Sequence, residues 1–457
     1  MWSQVFNYGQ AERIVDVEVE ASTGNIYVLV NTQPLNSTSL VVDYIILKYS
    51  PTGTLLQTKI RDLVDSSHPN ERDEASDMVL DNSGNLYVLF SHAHGSCTTA
   101  DTKIVIDKYN SSLITQWTYN SPSEYVQPKT ICFNSNGKLF AAYKYNFIPR
   151  VGLFSTSTAS LLTQASLPMP GLDGSESLKL TADNFGNIYG VAEYYVDWSP
   201  NPGGNFAPKV IKIDNSVNVM WSDTIAGDTT GMFASYPNDL ITDAAGDLYV
   251  SYNTFGSVDK SANLIKITSN GSKTWRKTYG LTGFNTLGHD LEITSANEIL
   301  FATGEENANS ITSTILRKFN TSGNVLWTSQ SYSLQTVTEP TGRIAVGSNG
   351  NIYASGDANS RVFTIAFNGF TTGEFGNAID HNSNLLLYPN PSKDKVNLEL
   401  SSDAELEVIN SIGQVVYKDN LKAGNNSLDL SSLKEGIYYF SIKVENNNTV
   451  YKMIKKD

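Results

Sequence analysis

Cysteine and histidine are scarce in this chain, which has two cysteines and five histidines among 457 residues. The cysteines, Cys97 and Cys132, form no C-x-x-C pair, so the usual spacing of zinc ligands is absent. In an oxidising compartment they would form a disulfide if their Cα atoms lay within about 7 Å of each other. Two separate thiols are the alternative, and the sequence leaves both open.

Charged residues and long apolar runs are also few. Only 17% of the residues are charged, and no apolar run reaches the roughly 18 residues that a transmembrane helix needs. Residues 1–30 lack the charged start and apolar stretch of a secretory signal peptide. The net charge of −14 repels phosphate backbones, which disfavours nucleic acid as a partner.

The chain is rich in tyrosine and in turn-forming residues instead. It has 24 tyrosines and 33 glycines, frequent Asn, Ser and Thr, and no long helical periodicity. This composition is typical of an all-β protein with many tight turns.

One short segment recurs seven times before residue 360. An apolar strand runs into D-x-x-G-N, and a second strand with an aromatic residue follows; the sixth copy, SANEILFATG (295–304), lacks the glycine. Glycine provides a left-handed backbone position and Asp caps the turn, so each copy predicts a tight β-hairpin. The aromatic residues assigned to the seven copies are Tyr27, Tyr87, Phe140, Tyr189, Tyr249, Phe301 and Tyr353.

Two more strands follow each hairpin, and the last of them contains a tryptophan in four copies. Four antiparallel strands repeated seven times predict a seven-bladed β-propeller. The seventh copy ends without its tryptophan strand, whereas the chain begins with WSQVFNY. We therefore expect Trp2 to Tyr8 to pair with the strand at 361–368 and close the ring, which would remove exposed sheet edges.

The repeat resembles the seven-bladed β-propeller repeat family, a relative of NHL-type propellers, over residues 1–370. The resemblance implies the fold, but propellers host unrelated activities, so it does not imply a function. Residues 371–384 are polar and rich in Gly and Asn, which predicts a linker.

The remaining residues, 385–457, carry a different signature. They contain YPNPS at 388–392, IGQVV at 412–416, EGIYYFSI at 435–442 and a basic end. These motifs resemble the type A C-terminal sorting domain of the type IX secretion system of Bacteroidetes. The positions that match the family pattern are Tyr388, Pro389, Asn390, Pro391, Gly413, Gly436 and Tyr438.

The sorting-domain resemblance implies a small β-sandwich that directs the protein through the type IX secretion machinery. The protein would then be secreted or held at the outer-membrane surface, with the sorting domain removed near the linker. Substrates of this system begin with a signal peptide, so Met1 is expected to start a mature or truncated chain.

Four aspartates and an arginine are the first candidate site. Asp16, Asp77, Asp239 and Asp290 begin the first strands of their repeats, and Arg343 takes this place in the seventh. At a channel mouth such carboxylates would bind Ca²⁺ or serve as an acid–base pair. Alternatively, each Asp caps a turn between blades through backbone N–H groups. No other cofactor is expected.

Aromatic residues on one rim are the second candidate site. The predicted loop 193–208 carries Tyr194, Tyr195, Trp198 and Phe206, and the predicted loop 144–149 adds Tyr145. Exposed aromatic rings stack on sugars or anchor a protein partner. Packing of the loop on itself is the alternative.

A charged loop at 65–77 is the third candidate, and it contains His68, Glu71, Arg72, Asp73 and Glu74. Together with His92 and His94 it would hold a metal or a general base. A solvated loop is the alternative.

The sequence contains no G-x-S-x-G, P-loop or H-E-x-x-H motif, and no spacing pairs a nucleophile with a base. The prediction of an enzymatic activity would therefore rest on fold analogy alone. We expect a secreted or cell-surface propeller that binds a glycan or a protein. The alternative is a hydrolase or lyase that acts on an extracellular polysaccharide with the channel-mouth carboxylates.

Overall fold

The computed structural model divides the chain into two compact units, Met1–Phe375 and Gly376–Asp457. The structure describes residues 2–6, 8, 11–33, 43–61, 71–94, 102–122, 126–146, 148–168, 178–196, 205–225, 234–255, 259–280, 285–306, 312–328, 332–333, 342–358, 361–367, 386–388, 392–400, 402–410, 414–444 and 447–456. The predicted linker, 371–384, lies outside these residues, as does Cys97. Cys132 is a free cysteine.

In the described part of the first unit, the strands form seven antiparallel sheets of four strands, and sheet 6 carries one further short strand. The chain opens with β1 (Trp2–Phe6). Sheet 1 contains β2 (Ala11–Val19), β3 (Ile26–Gln33), β4 (Asp43–Tyr49) and β5 (Leu55–Arg61). Sheet 2 contains β6 (Glu71–Leu80), β7 (Leu86–His94), β8 (Thr102–Tyr109) and β9 (Thr115–Asn120). Sheet 3 contains β10 (Val126–Phe133), β11 (Leu139–Tyr145), β12 (Ile148–Phe154) and β13 (Leu161–Ser166).

The next three sheets follow the same order. Sheet 4 contains β14 (Leu178–Ala182), β15 (Ile188–Val196), β16 (Asn205–Ile213) and β17 (Val219–Thr224). Sheet 5 contains β18 (Ala234–Thr242), β19 (Leu248–Phe255), β20 (Lys260–Ile267) and β21 (Lys273–Tyr279). Sheet 6 contains β22 (Asn285–Ile293), β23 (Ile299–Glu306), β24 (Thr312–Phe319), β25 (Val325–Thr328) and the short β26 (Tyr332–Ser333).

Sheet 7 joins the two ends of this unit. It contains β27 (Arg343–Val346), β28 (Ile352–Ala358) and β29 (Arg361–Phe367), and its fourth strand is β1. Trp2 lies opposite Ala366, the place that Trp327 takes opposite Lys318 in sheet 6. The predicted pairing of the N-terminal strand with the strand at 361–367 is thus present.

Burial changes systematically across each sheet. The second strand is buried on both faces, as in β3, where residues 26–30 are all inaccessible. The fourth strand is the most exposed, and β5 alternates exposed and half-buried residues. Both faces of the inner strands are therefore covered by neighbouring sheets, which explains their nearly continuous apolar sequences.

The hydrophobic clusters show which sheets are neighbours. Seven clusters in the described part of the unit each combine side chains of two sheets: 1 with 2, 2 with 3, 3 with 4, 4 with 5, 5 with 6, 6 with 7, and 7 with 1. Face-to-face packing of four-stranded antiparallel sheets in this order is a β-propeller architecture. The prediction of an all-β propeller protein is confirmed at this level.

The D-x-x-G-N turns are hairpin turns, as predicted. In sheet 2, Asp81 Oδ1 accepts the backbone N–H groups of Ser83 and Asn85, both at 2.9 Å. Gly84 has a φ of +76°, a conformation that glycine adopts without strain. In the sixth copy Asn297 replaces the glycine and adopts a φ of +60°.

The prediction that Phe301 holds the aromatic position of the sixth copy was wrong by one residue. Glu292 lies opposite Leu300, just as Glu18 lies opposite Tyr27 in sheet 1. Leu300, and not Phe301, is therefore the counterpart of the repeated aromatic residue. Phe301 points to the other face of the strand, where it packs between sheets 5 and 6.

The second unit consists of two antiparallel sheets around one core. The smaller contains β30 (Leu386–Tyr388), β31 (Lys395–Leu400) and β34 (Gly424–Asp429). The larger has the order β33 (Val415–Leu421), β32 (Ala404–Asn410), β35 (Gly436–Val444), β36 (Asn447–Lys455). Val396 and Leu428 of the smaller sheet pack with Leu406, Phe440 and Met453 of the larger sheet.

Candidate functional site

The predicted channel-mouth residues occupy equivalent places in the first strands. Asp16, Asp77, Asp239 and Asp290 each follow a β-bulge, and each pairs with a residue of the second strand of its sheet. By the same register, Thr130, Lys179 and Arg343 occupy this place in sheets 3, 4 and 7. We call these residues the inner set: Asp16, Asp77, Thr130, Lys179, Asp239, Asp290 and Arg343.

Members of the inner set join neighbouring sheets through hydrogen bonds. Asp77 Oδ2 accepts the backbone N–H of Ile131 at 2.9 Å and the Thr130 hydroxyl at 2.6 Å. Asp239 Oδ2 accepts the N–H of Leu291 at 2.8 Å. These bonds connect sheet 2 to sheet 3 and sheet 5 to sheet 6.

The same contact recurs where sheet 7 meets its neighbours. Asp290 Oδ2 accepts the N–H of Ile344 at 2.7 Å. Arg343 Nε donates to the Val15 carbonyl oxygen at 2.9 Å. The aspartates therefore accept backbone N–H groups, as in the turn-capping alternative. These N–H groups, however, belong to the first strand of the next sheet and not to a turn.

Burial dominates the electrostatics of the inner set, and neighbouring carboxylates add to it at Asp16 and Asp290. Burial, reinforced by the Asp239 carboxylate and opposed by the Arg343 guanidinium, raises the pKa of Asp290 to about 8. Burial and then the Asp77 carboxylate raise the pKa of Asp16 well above its ordinary value. Burial also raises the pKa of Asp239.

Two glutamates that the sequence analysis missed extend this acidic region. Glu18 and Glu292 lie two residues after Asp16 and Asp290, on the same face of their strands. Burial raises the pKa of both side chains, and the Glu292 carboxylate adds to the effect on Glu18. The strand period of two was the signal that could have identified them.

No metal centre is assembled in the part of the chain that the structure describes: it contains no group of three or more His, Cys, Asp or Glu residues placed to hold an ion.

The rim aromatics lie on strands more than on loops. Tyr194 and Tyr195 belong to β15, where they pair with Ala207 and Phe206 of β16. The predicted loop 193–208 is therefore shorter, because these backbone groups continue the hairpin ladder, and Trp198 lies outside the described residues. In the same way Tyr145 ends β11, and the Arg150 guanidinium lies 4.2 Å from the centre of its ring.

Phe206 belongs to an aromatic group that sequence analysis did not find. Its ring centre lies 5.7 Å from that of Tyr236 in the next sheet, and Tyr236 makes an edge contact with Phe255 at 5.1 Å. The Lys260 ammonium lies 4.9 Å from the centre of the Phe255 ring. We call Phe206, Tyr236, Phe255 and Lys260 the rim group. All four side chains are half-buried.

The charged loop predicted at 65–77 is largely a strand, because β6 already begins at Glu71. His92 Nδ1 lies 2.7 Å from Asp73 Oδ1, and both side chains are buried. Arg72 pairs with Glu74 on the other face of β6. His68 and the side chains of Glu71 and His94 lie outside the description.

The sorting motif is only partly described. Pro389, Asn390, Pro391 and Gly413 lie outside the described residues, and Tyr388 is placed by its backbone in β30. Gly436 begins β35. Tyr438 is buried in the core of the second unit, and its hydroxyl donates to the Lys434 carbonyl oxygen at 2.9 Å.

The second unit matches a known family. Residues 386–456 match the family model described as a secretion system C-terminal sorting domain. The chain carries a type IX sorting domain at its C-terminal end. This domain directs export by type IX secretion to the cell surface or the medium. Among the described residues, no helix has the length and hydropathy needed to cross a membrane.

Similarity to other proteins is weak. No curated protein matches the chain. An ulvan lyase from a new polysaccharide lyase family is 11% identical, with a TM-score of 0.48, over 79% of this chain and 95% of the lyase. The β-propeller domain of the Trilobed protease from Pyrococcus furiosus is 9% identical, with a TM-score of 0.45, over 80% of this chain and 98% of that domain. At these values neither bears on function.

Proposed function

We propose that this protein is an exported, ring-closed seven-bladed β-propeller that binds a glycan or a protein ligand on one rim. The rim group carries the proposal, because it brings three aromatic rings and a lysine of sheets 4 and 5 together at the loop-bearing ends of their strands. The NHL-type relationship and a Bacteroidetes source belong to the same proposal.

Ring closure is supported by the cyclic order of the interfaces. The last cluster joins Ala345, Tyr353 and Val362 of sheet 7 to Ile14 and Val28 of sheet 1. The first and seventh sheets are then neighbours, as any two consecutive blades are. A closed ring holds its loops on a rigid scaffold, which suits ligand recognition.

The rim group has the chemistry of a binding surface. Half-buried aromatic rings offer flat apolar faces that stack on sugar rings or fill pockets of a partner protein. The Lys260 ammonium adds a donor beside the Phe255 ring. Tyr194, Tyr195, Trp198 and Tyr145 remain proposed contributors on the same rim.

The rival function, a hydrolase or lyase that uses inner-set carboxylates, has weaker support. Asp77, Asp239 and Asp290 already accept backbone N–H groups of the next sheet. A carboxylate engaged in this way must lose a structural bond before it reacts with a substrate. Polysaccharide cleavage that is lost on Asp290→Asn would favour the rival.

Glycan-array binding and pull-downs from culture medium test the binding proposal. We expect Tyr236→Ala, Phe255→Ala and Trp198→Ala each to weaken binding at least tenfold, since hot-spot aromatic residues contribute about 2 kcal/mol or more. Phe185→Ala is the matched control: Phe185 is 67% exposed but lies on a D-x-x-G turn at the opposite strand ends. No ligand, or equal loss in the control, would contradict the proposal.

A further inference from the structure

The larger sheet of the second unit has one face in the core and one face outside. Ala404, Leu406 and Val408 of β32 and Phe440 and Ile442 of β35 point into the core. Side chains alternate along a strand, so the residues between them point away from it. This outward face divides into an apolar end and a charged end.

The apolar end lies across three strands. Val415 of β33 is opposite Ile409 of β32, and Ile409 is opposite Tyr439 of β35. Ile437 lies two residues before Tyr439 and therefore on the same face. Directly opposite residues have Cβ atoms about 5 Å apart, so these side chains form one continuous patch.

This patch contains the exposed apolar surface of the unit. In the described part of residues 376–457, the large apolar side chains that are exposed are Val415 (43%), Val416 (40%) and Ile437 (39%). Val416 is next to Val415 at the bulge where two residues of β33 face one of β32. We call Ile409, Val415, Val416, Ile437 and Tyr439 the apolar patch.

The charged end is electrically balanced. Lys418 pairs with Glu407, and Lys443 lies 4.0 Å from Glu405. These four residues line a groove of about 490 Å³. Each positive charge thus faces a negative one across the sheet. On β32, β33 and β35 this face therefore combines apolar contact with paired charges.

The patch reaches an open edge of the sheet. Strand β33 is hydrogen-bonded to β32 on one side, and among the described strands none pairs with its other side. Its first three residues, Val415, Val416 and Tyr417, have high strand propensity. An edge of this kind accepts an added strand through main-chain hydrogen bonds.

We propose that the apolar patch and the β33 edge are the surface through which the export machinery holds this domain, with an extended, uncharged apolar segment added beside β33. The partner follows from the family match, because a sorting domain acts by being bound. Burial of the three exposed side chains would provide the affinity, and the open edge would provide the register. This inference does not depend on what the propeller binds.

The test follows export of the full chain in a bacterium that has type IX secretion. We expect the double variant Val416→Lys, Ile437→Lys to reduce the surface or medium fraction at least tenfold and to accumulate in the periplasm. Leu162→Lys with Met220→Lys is the matched control, because these propeller residues are 59% and 56% exposed. We expect the control to be exported normally.

A second pair of substitutions separates recognition from folding. Val416→Ser with Ile437→Ser removes apolar surface without adding charge, and resistance to limited proteolysis reports whether the unit is folded. A folded serine variant that is retained in the periplasm supports the proposal. Normal export of both double variants overturns it, and so does a purified dimer that these changes dissociate while export is unaffected, since a second copy would then cover the patch.

Discussion

Buried and half-buried carboxylates lie close together on the first strands of the propeller. Asp16, Glu18, Asp239, Asp290 and Glu292 all have raised pKa values, and in each case burial is the largest cause. Asp16, Asp239 and Asp290 each accept a backbone N–H group of the next sheet, which offsets this cost. For Glu18 no such bond is described, so its charge is a cost without an evident structural return.

A pH dependence of stability follows from these shifts. Because the fold raises the pKa values, the stability from the protonated carboxyls is complete below about pH 4, where they titrate in the unfolded chain. It is lost as the pH rises through the folded values, which for Asp290 means about pH 8. We expect the melting temperature to fall across this range.

Glu18→Gln with Glu292→Gln should flatten this dependence and raise the melting temperature at pH 8 by about 2 °C, because it removes carboxylate repulsion. All six tryptophans lie before residue 371, so tryptophan fluorescence reports on the first unit. Glu405→Gln, at an exposed site in the second unit, is the control. An unchanged slope would show that the two glutamates stay ionised at little cost.

The repeated lysine, tyrosine and tryptophan residues connect one sheet to the next. Lys266 lies 5.1 Å from the centre of the Tyr249 ring, and its ammonium donates to the Thr321 carbonyl oxygen of the next sheet at 3.3 Å. Trp275 Nε1 donates to the same oxygen at 3.2 Å. Where glutamine replaces tryptophan in sheet 1, Gln57 donates to Ser112 of sheet 2 at 2.8 Å.

Loss of one indole donor should therefore be measurable. Trp275→Phe keeps most of the ring but removes the N–H group, and we expect the free energy of unfolding to fall by about 1 kcal/mol. Urea denaturation followed by circular dichroism measures it. Met220→Leu, on the equivalent strand of sheet 4, should stay within about 0.5 kcal/mol of the parent; a similar loss in both variants would contradict the assigned bond.

The N-terminal strand contacts both the last and the first sheet of the propeller. It pairs with β29, and Gln4 donates to the Gly53 carbonyl oxygen of sheet 1 at 2.9 Å. If it closes the ring, its loss exposes an edge of sheet 7 and weakens the contact with sheet 1. An open ring of seven sheets would be prone to edge-to-edge association.

We expect deletion of residues 1–8 to lower the melting temperature of the propeller by more than about 5 °C and to cause aggregation, given the contacts removed. A peptide with the sequence MWSQVFNY added in excess should restore part of the loss by binding the vacated edge. Deletion of residues 376–457 is the control and should leave the tryptophan-detected transition in place. Equal stability without residues 1–8 would rule out the closure proposal.

The repeat pattern predicted the pairing of Trp2 with the last sheet, because the seventh copy lacks its own fourth strand. Local patterns in the sequence determined the hairpins and the strands of each repeat, because turn chemistry and strand period act between near neighbours. The sorting motifs identified the second unit for the same reason. Only the tertiary structure decided which backbone groups the aspartates bind and which aromatic rings contact Phe206. Packing between sheets brings Asp77 to Ile131 and Phe206 to Tyr236. Contacts of this kind leave no repeating pattern in the sequence from which they could be predicted. The register within one strand was also decided only by the structure. Leu300 occupies the repeated aromatic position of the sixth copy, and Phe301, one residue later, lies on the opposite face of the strand.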